Sequence, residues 1–146
     1  MKVCLVCSHG GHLTEMMRLM EAFQGHDVFF ITYHHPRTES LPYRKYLMNN
    51  VHSPMATLLL FPRILSILMK EEPDIMISTG DEIAIPSFLL ARILRVKTIY
   101  IESWCRVRTT SGTGRIVYRM ANEFLVQWPD LAEEYGKKAK YEGAVV

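Results

Sequence analysis

A glycine pair between two histidines separates the first predicted strand from the first predicted helix. The segment reads Ser8-His9-Gly10-Gly11-His12. Adjacent glycines let the backbone come close to a ligand, and the start of a helix offers free N–H groups to an anion. Histidine exchanges protons near neutral pH and is the commonest general base. The segment therefore predicts a phosphate-binding turn with His12 as a candidate base.

Simpler interpretations exist for the same residues. The glycines also suit a plain strand-to-helix turn, and His12 also suits a helix cap or a surface position. The segment lacks the three spaced glycines of a dinucleotide-binding turn and the Gly-Lys-Ser/Thr sequence of a Walker loop. A phosphate contact and a tight turn therefore remain as alternatives at this point.

The spacing of the cysteines and of the histidines gives little support for a redox pair or a metal site. Cys4 and Cys7 have the spacing of a redox pair, but they lie within a strand, which favours core packing. Spacing alone is a weak argument for a metal site, and we predict none. The side chains considered for one are His9, His12, His34 and His35.

A second group of candidates follows later predicted strands. Glu102 ends an apolar strand, where a carboxylate either takes part in chemistry or pairs with Arg106 or Arg108. The loop from Arg106 to Ser111 could hold a diphosphate through its guanidinium groups and hydroxyls, or could be a solvated basic loop. Gly80 follows the middle predicted strand, so we expect it at the same edge of the sheet.

The elements that must position these residues alternate between strand and helix. Buried strands are predicted at 2–7, 26–32, 74–78, 97–102 and 123–127, with short extended pieces near Val51 and in the tail 137–146. Helices are predicted at 13–25, 43–48, 53–70 with a bend at Pro62, 83–94, 114–120 and 129–135. The alternation predicts an α/β fold, a Rossmann-like parallel sheet with helices on both faces. Ligands bind beyond the carboxyl ends of such strands, so the candidates should converge there.

The composition is typical of a folded globular chain. The chain has 146 residues, a formal net charge of +2 and three cysteines. This length fits one domain with a full core, and the small charge gives no argument for nucleic acid as a partner. The cysteines favour a reducing compartment over a disulfide framework. We expect no signal peptide, because the chain opens on a core strand, and no apolar run reaches the length of a membrane span.

The stretch 55–69 is more apolar than a half-exposed helix requires, although it is too short to span a bilayer. One interpretation is a well-buried core helix. The other is contact with a membrane interface or a partner protein. The side chains predicted to make that contact are Leu59, Leu60, Phe61, Ile64 and Leu68.

Several stretches together resemble one family. They are Gly10-Gly11-His12 with Thr14-Glu15-Met16, Ile77-Ser78-Thr79-Gly80, Ile101-Glu102-Ser103 with Arg106-Val107, Ser111 with Thr113-Gly114-Arg115, and Val126-Gln127-Trp128-Pro129-Asp130-Leu131. The family is the membrane-recruiting subunit of the split N-acetylglucosaminyltransferase of asparagine-linked glycosylation. It also includes subunits of two-part bacterial exopolysaccharide and capsule glycosyltransferases.

The resemblance implies that residues 1–146 form a single acceptor-binding half-domain, the amino-terminal lobe of a GT-B glycosyltransferase. A separate partner would carry the lobe that binds the nucleotide sugar. The implied reaction is inverting transfer from a UDP-sugar, with UDP-N-acetylglucosamine favoured, to a polyprenyl-diphosphate-linked sugar, without a metal or other cofactor. His12 or Glu102 would be the base. The acceptor diphosphate would contact Gly10, Gly11, His12, Gly80, Arg106 and Arg108.

The resemblance also implies a peripheral position on the cytoplasmic face of a membrane, because the chain opens on its first strand where eukaryotic members carry a membrane helix. Two other functions stay open from the sequence. The chain could be a non-catalytic anchor for the donor-binding subunit, or a free-standing nucleotide-binding Rossmann protein. The missing nucleotide-binding motifs argue against the second of these.

Overall fold

A computed structural model describes residues 1–51, 53 and 55–145. Its strands form one sheet in the order β3-β2-β1-β4-β5-β6-β7, and every neighbouring pair is parallel. The strands are β1 (Lys2–Cys7), β2 (Asp27–Tyr33), β3 (Arg44–Met48), β4 (Ile75–Gly80), β5 (Lys97–Ile101), β6 (Glu123–Val126) and β7 (Ala139–Tyr141). The helices are α1 (Gly11–Arg18), α2 (Pro36–Glu39), α3 (Phe61–Glu71), α4 (Ala84–Ile93), α5 (Gly112–Tyr118) and α6 (Pro129–Tyr135).

Helices cover both faces of the sheet, which confirms the predicted α/β class. Successive side chains of a strand point to opposite faces, so the central strand β1 feeds two cores. Cys4 and Val6 belong to the core beneath α3, α4, α5 and α6. Leu5 and Cys7 belong to the core beneath α1 and the 3₁₀ helix Met20–Phe23. Burial of both cysteines confirms that they are packing residues.

The helix predicted at 43–48 was wrong, since these residues form the edge strand β3. The register pairs Arg44 with Phe29 of β2. The ring of Tyr46 meets Phe29 edge-on at 5.9 Å, and the Arg44 guanidinium lies 5.5 Å from the centre of the same ring. These tertiary contacts outweigh the local preference for a helix. The strand ends at Met48, and Val51 lies outside any helix or strand.

The helix predicted at 53–70 is two elements. A 3₁₀ helix covers Ala56–Leu60, and α3 follows directly. The two elements meet at Leu60 and Phe61, next to the predicted bend, and Pro62 lies in the first turn of α3, where the missing N–H of proline is not needed. Pro54, on which the predicted helix start depended, lies outside the described residues. The first helix also ends earlier than predicted, at Arg18, before the 3₁₀ helix at Met20–Phe23.

Candidate functional site

A cavity of about 770 Å³ opens beyond the carboxyl ends of β1, β4 and β5. The start of α1, the loops after β4 and β5, and the start of α5 line it. Its polar lining includes His12, Glu15, Asp81, Glu82, Glu102, Ser103, Arg106 and Ser111. The candidates that line it, as the sequence predicts for the strand ends, are Gly11, His12, Glu102 and Arg106. Gly10, Gly80 and Arg108 lie outside this lining.

His12 is held by the strand end on the opposite side of the turn. Its Nδ1 lies 2.8 Å from the carbonyl oxygen of Thr79, while the Thr79 hydroxyl donates to the His12 carbonyl at 2.6 Å. A carbonyl oxygen can only accept, so Nδ1 carries the hydrogen. In the neutral ring the lone pair is then on Nε2. The side chain is 29% exposed, so solvent and a ligand can reach a ring whose orientation is fixed.

Gly80 makes room for that ring. It has a φ of +124°, and a Cβ atom built there would lie 2.8 Å from both Cε1 and Nδ1 of His12. Any larger residue would therefore strain the backbone and push the imidazole away from Thr79. The structure places Gly80 against His12, where it acts by positioning the ring.

Glu15 is a buried carboxylate of the site that the sequence showed only as part of the family motif. It is 6% exposed. Its Oε1 accepts from the backbone N–H of Trp104 at 2.6 Å and from Nε2 of Gln127 at 2.7 Å. Its Oε2 lies 3.9 Å from Nδ1 of His12. An acidic residue beside Leu13 and Met16 on the otherwise apolar buried face of α1, three positions after His12, was the signal available in the sequence.

Glu102 is buried and already bound by several donors. Oε1 accepts from the N–H of Ser103 at 3.0 Å. Oε2 accepts from Ser111 Oγ at 2.7 Å, from Ser111 N–H at 3.3 Å and from the hydroxyl of Tyr135. Burial, together with this hydrogen bond to Glu102, raises the pKa of Tyr135, so its hydroxyl stays protonated and donates. The carboxylate thus accepts hydrogen bonds from both ends of the loop 103–111 and holds them in place.

The pairing of Glu102 with Arg106 or Arg108 does not occur. Nε of Arg108 instead lies 3.4 Å from Asp130, and both side chains are well exposed. Arg106 forms no ion pair within the described part of the chain and lines the cavity. Its guanidinium is therefore available to an anionic ligand.

Gly114 packs against the hydrogen-bonded cluster around Glu102. A Cβ atom there would overlap the Tyr135 hydroxyl and Oε2 of Glu102. Its N–H donates to Ser111 Oγ at 2.8 Å. Only glycine lets the first turn of α5 approach this cluster so closely.

Arg37 donates hydrogen bonds to the glycine turn. The sequence did not predict it as a site residue. Its Nη1 donates to the carbonyls of His9 at 3.1 Å and Gly10 at 3.2 Å, and its Nη2 donates to Thr14 Oγ1 at 3.1 Å. A Cβ atom at Gly10 or Gly11 would meet nothing within 4 Å, so open space adjoins this backbone. The signal in the sequence was an arginine just past the carboxyl end of β2.

The four histidines considered as metal ligands do not converge on one point. The rings of His9 and His35 stack at 4.2 Å, and Nδ1 of His34 lies 3.7 Å from Glu39. His12 binds Thr79. Within 1–51, 53 and 55–145, no group of three or more His, Cys, Asp or Glu side chains could hold a metal ion.

The apolar stretch 55–69 divides into a buried and an exposed set. Leu60, Ile64 and Leu68 follow one another at a spacing of four and are buried, so for them the predicted membrane or partner contact is contradicted. Leu59 is 80% exposed and Phe61 is partly buried. Further exposed apolar side chains in this region are Met55, Leu58 and Met69. Among the described residues, no helix is both long and apolar enough to span a bilayer.

Comparison with solved structures gives the same fold. The structure superposes on Acinetobacter baumannii MurG with a TM-score of 0.81 and 15% identity, covering 99% of this chain and 45% of that one. It superposes on Staphylococcus aureus MnaA bound to UDP with a TM-score of 0.77 and 13% identity, covering 99% and 45%. The chain thus shares its Rossmann-like fold with somewhat less than half of each of these longer chains.

Sequence comparison identifies the family. The model for "Oligosaccharide biosynthesis protein Alg14 like" matches residues 42–145. The human UDP-N-acetylglucosamine transferase subunit ALG14 is 37% identical over 55% of this chain and 39% of its own length. The Saccharomyces cerevisiae subunit is 25% identical over 100% of this chain and 77% of its own. The chain spans about two fifths of the mammalian relatives that it matches. The family match covers more than half of the chain, which therefore belongs to the Alg14-like family of oligosaccharide biosynthesis proteins.

Proposed function

We propose that this chain is the acceptor-binding subunit of a two-protein glycosyltransferase that transfers a sugar from UDP-N-acetylglucosamine or a related UDP-sugar to a polyprenyl-diphosphate-linked sugar. The observation that carries the proposal is the orientation of His12, whose Nδ1 is fixed by Thr79 at the edge of a cavity of about 770 Å³. The ALG14 relatives are named as subunits of a UDP-N-acetylglucosamine transferase, which supports the same reaction class.

The glycine turn and Arg106 would hold the acceptor diphosphate. Gly10 and Gly11 have open space beside their backbone, and α1 begins at Gly11, so its first N–H groups can meet an anion. Arg106 adds a guanidinium group, which binds phosphate oxygens in pairs. Arg37 would act indirectly by keeping the turn in this conformation.

His12 would be the general base. In the neutral ring, Nε2 takes the proton from the attacking hydroxyl of the acceptor sugar. The oxygen then forms a bond to the anomeric carbon of the donor sugar while the bond to UDP breaks, with inversion. The proton remains on His12 until it passes to solvent. The Thr79 carbonyl and the carboxylate of Glu15, 3.9 Å from Nδ1, stabilise the imidazolium formed in this step.

Glu102 would be a positioning residue. Its oxygens accept from four donors, so they have little capacity left to take a substrate proton. By holding Ser103 and Ser111 it sets the path of the loop that carries Arg106. Arg108, paired with Asp130, would lie at the periphery of the diphosphate site.

The remaining parts of the enzyme would come from outside this chain. A partner would supply the lobe that binds the nucleotide sugar, because the curated relatives are named as subunits of a UDP-N-acetylglucosamine transferase. Peripheral contact with the cytoplasmic face of a membrane would involve Leu58, Leu59 and Phe61, with Arg63 and Lys70 near lipid headgroups. Such contact would bring the cavity to an acceptor anchored in the bilayer.

Reconstitution tests this function. The chain is co-expressed with a neighbouring gene's product that carries a nucleotide-sugar-binding half, and radiolabelled UDP-sugars are supplied with a polyprenyl-diphosphate-linked sugar. We expect transfer of label to the lipid only when both chains are present. Equal transfer by the isolated chain, or by the partner without it, would contradict the proposal.

A further inference from the structure

A second cavity, of about 480 Å³, lies at the amino edge of the sheet, opposite the site described above. It forms where α4 leads into β5, where α5 leads into β6, and just before β7. Five cations and no carboxylate are found among the described residues that line it. The cations are Arg92, Arg95, Lys97, Arg119 and Lys138. We call this site the basic cavity.

The basic cavity carries an excess of positive charge. Its five cations exceed the net charge of the whole chain, which is +2. None of the five pairs with a carboxylate at ion-pair distance in the described structure. Glu123, which begins β6, is bound by Lys140 at 2.7 Å. The cavity therefore concentrates positive charge, which Glu123 offsets only in part through its longer-range attraction to Lys138.

Two of the cations are held in place by backbone carbonyls. Nη1 of Arg92 donates to the carbonyl of Arg119 at 3.2 Å, and Nζ of Lys138 donates to the carbonyl of Tyr118 at 2.6 Å. Burial and, after it, repulsion by the like charge of Arg92 lower the pKa of Lys138, whereas Glu123 partly offsets that repulsion. A bound anion would relieve this repulsion.

Asn122 adds an oriented amide. Its Oδ1 accepts from the backbone N–H of Thr98 at 2.8 Å and from the Thr98 hydroxyl at 3.3 Å. The backbone N–H of Asn122 donates to that hydroxyl at 3.0 Å. With Oδ1 occupied, Nδ2 is the end of the amide that can donate to a ligand. Cations around a neutral donor are typical of sites that bind phosphate.

We propose that the basic cavity binds a phosphate group, either of a soluble phosphorylated compound or of an anionic lipid. The cavity volume suits a small ligand. The proposal does not depend on the glycosyltransferase function, because the basic cavity shares no lining residue with the first cavity. It would give the chain a second anion site on the opposite edge of the sheet.

Inorganic pyrophosphate is the soluble probe, followed by amide chemical shifts of the full chain. We expect saturable shifts at residues 95–98 and 119–122. Arg95→Gly should weaken this binding about three- to tenfold, the loss of one charged contact. Glycine suits the φ of +61° at Arg95, so the variant should fold. Glu72→Gly, at a φ of +48° after α3, controls for the backbone change, and Arg18→Gln controls for the lost charge. Both should bind as the unaltered chain does.

Vesicles of phosphatidylcholine with and without phosphatidylglycerol distinguish the two sources. A soluble ligand is supported when pyrophosphate binding depends on Arg95 and flotation with anionic vesicles does not. A lipid ligand is supported when flotation with phosphatidylglycerol vesicles falls in Arg95→Gly but not in Arg18→Gln. The proposal is overturned if the double variant Arg95→Gly with Lys97→Gln binds both probes as well as Arg18→Gln does. It is equally overturned if pyrophosphate shifts only amides outside the basic cavity and anionic vesicles do not bind.

Discussion

Nδ1 of His12 lies 2.8 Å from the carbonyl oxygen of Thr79, a residue 67 positions away on a neighbouring strand. This single hydrogen bond fixes both the orientation and the tautomer of the ring. The sheet topology explains the contact, because β1 and β4 are parallel neighbours and both end at this edge. The fold therefore occupies Nδ1 and leaves Nε2 as the nitrogen that accepts the proton in the proposed reaction.

Glu15→Gln tests the stabilisation of the imidazolium. The amide oxygen can still accept from Trp104 and Gln127, whereas the negative charge 3.9 Å from His12 Nδ1 is lost. We expect kcat of the assembled enzyme to fall about ten- to thirtyfold, with KM for the acceptor nearly unchanged, since the charge matters only in the transition state. Steady-state kinetics check this. A rise in KM with constant kcat would indicate that Glu15 acts only in binding.

Gly80→Ala tests the space that His12 needs. The added methyl group would lie 2.8 Å from the imidazole, so the ring must leave Thr79. We expect activity to fall about a hundredfold or more, within the usual contribution of a general base. Gly25→Ala is the control, because Gly25 also has a positive φ, of +84°, but has nothing within 4 Å of the added atom. Gly25→Ala should lose about 1 kcal/mol of stability from backbone strain, and Gly80→Ala should lose more because of its contact with the imidazole. Equal activity in the two variants would contradict the role given to Gly80.

Glu102→Gln separates positioning from base catalysis. The new amide group cannot accept from all the donors that now meet the carboxylate, so the loop 103–111 should loosen. We expect a loss of about 2–4 kcal/mol of stability and a higher KM for the acceptor, with kcat reduced less than tenfold. Tyr135→Phe, which removes one donor, should produce a weaker form of the same change. A thousandfold lower kcat at constant KM would identify Glu102 as the base instead.

Glu71 should make the fold sensitive to acid. Burial opposes the shift, but hydrogen bonds from Arg44 and Tyr46 lower the pKa of Glu71. A carboxyl with a lowered folded-state pKa adds stability above its unfolded pKa of about 4.3, and this contribution is lost as pH falls through the folded value. We therefore expect Glu71→Gln to lower Tm at neutral pH and the difference to shrink below about pH 4. A difference in Tm that is constant from neutral to acid pH would refute this account.

The site residues that the sequence predicted best are those that lie just beyond the carboxyl end of a strand. The alternation of strands and helices was enough to place His12, Glu102 and Arg106 around one cavity. It could not show that Glu102 is saturated with donors, because Tyr135 approaches from a helix 33 residues away. Similarly, the edge strand β3 was hidden because Arg44 and Tyr46 find their partners in β2 and α3, which local pattern does not reveal.

The apolar stretch 55–69 illustrates a different limit. Its composition indicated an unusual surface, but only the structure of the 3₁₀ helix Ala56–Leu60 and of α3 shows which side chains face the solvent. Leu60 and Ile64 face the core, whereas Leu59 is on the surface. Composition cannot distinguish these two faces when the residues on both are apolar.

The decisive measurement is the turnover of the assembled enzyme when His12 is replaced by glutamine. The glutamine amide can keep a hydrogen bond to the Thr79 carbonyl but cannot accept a proton from the acceptor. His12→Gln should bind the partner normally, as judged by co-elution, while kcat falls about a hundred- to ten-thousandfold. A complex that forms normally and turns over within about threefold of the unaltered enzyme would contradict the account, and would make this chain a non-catalytic anchor.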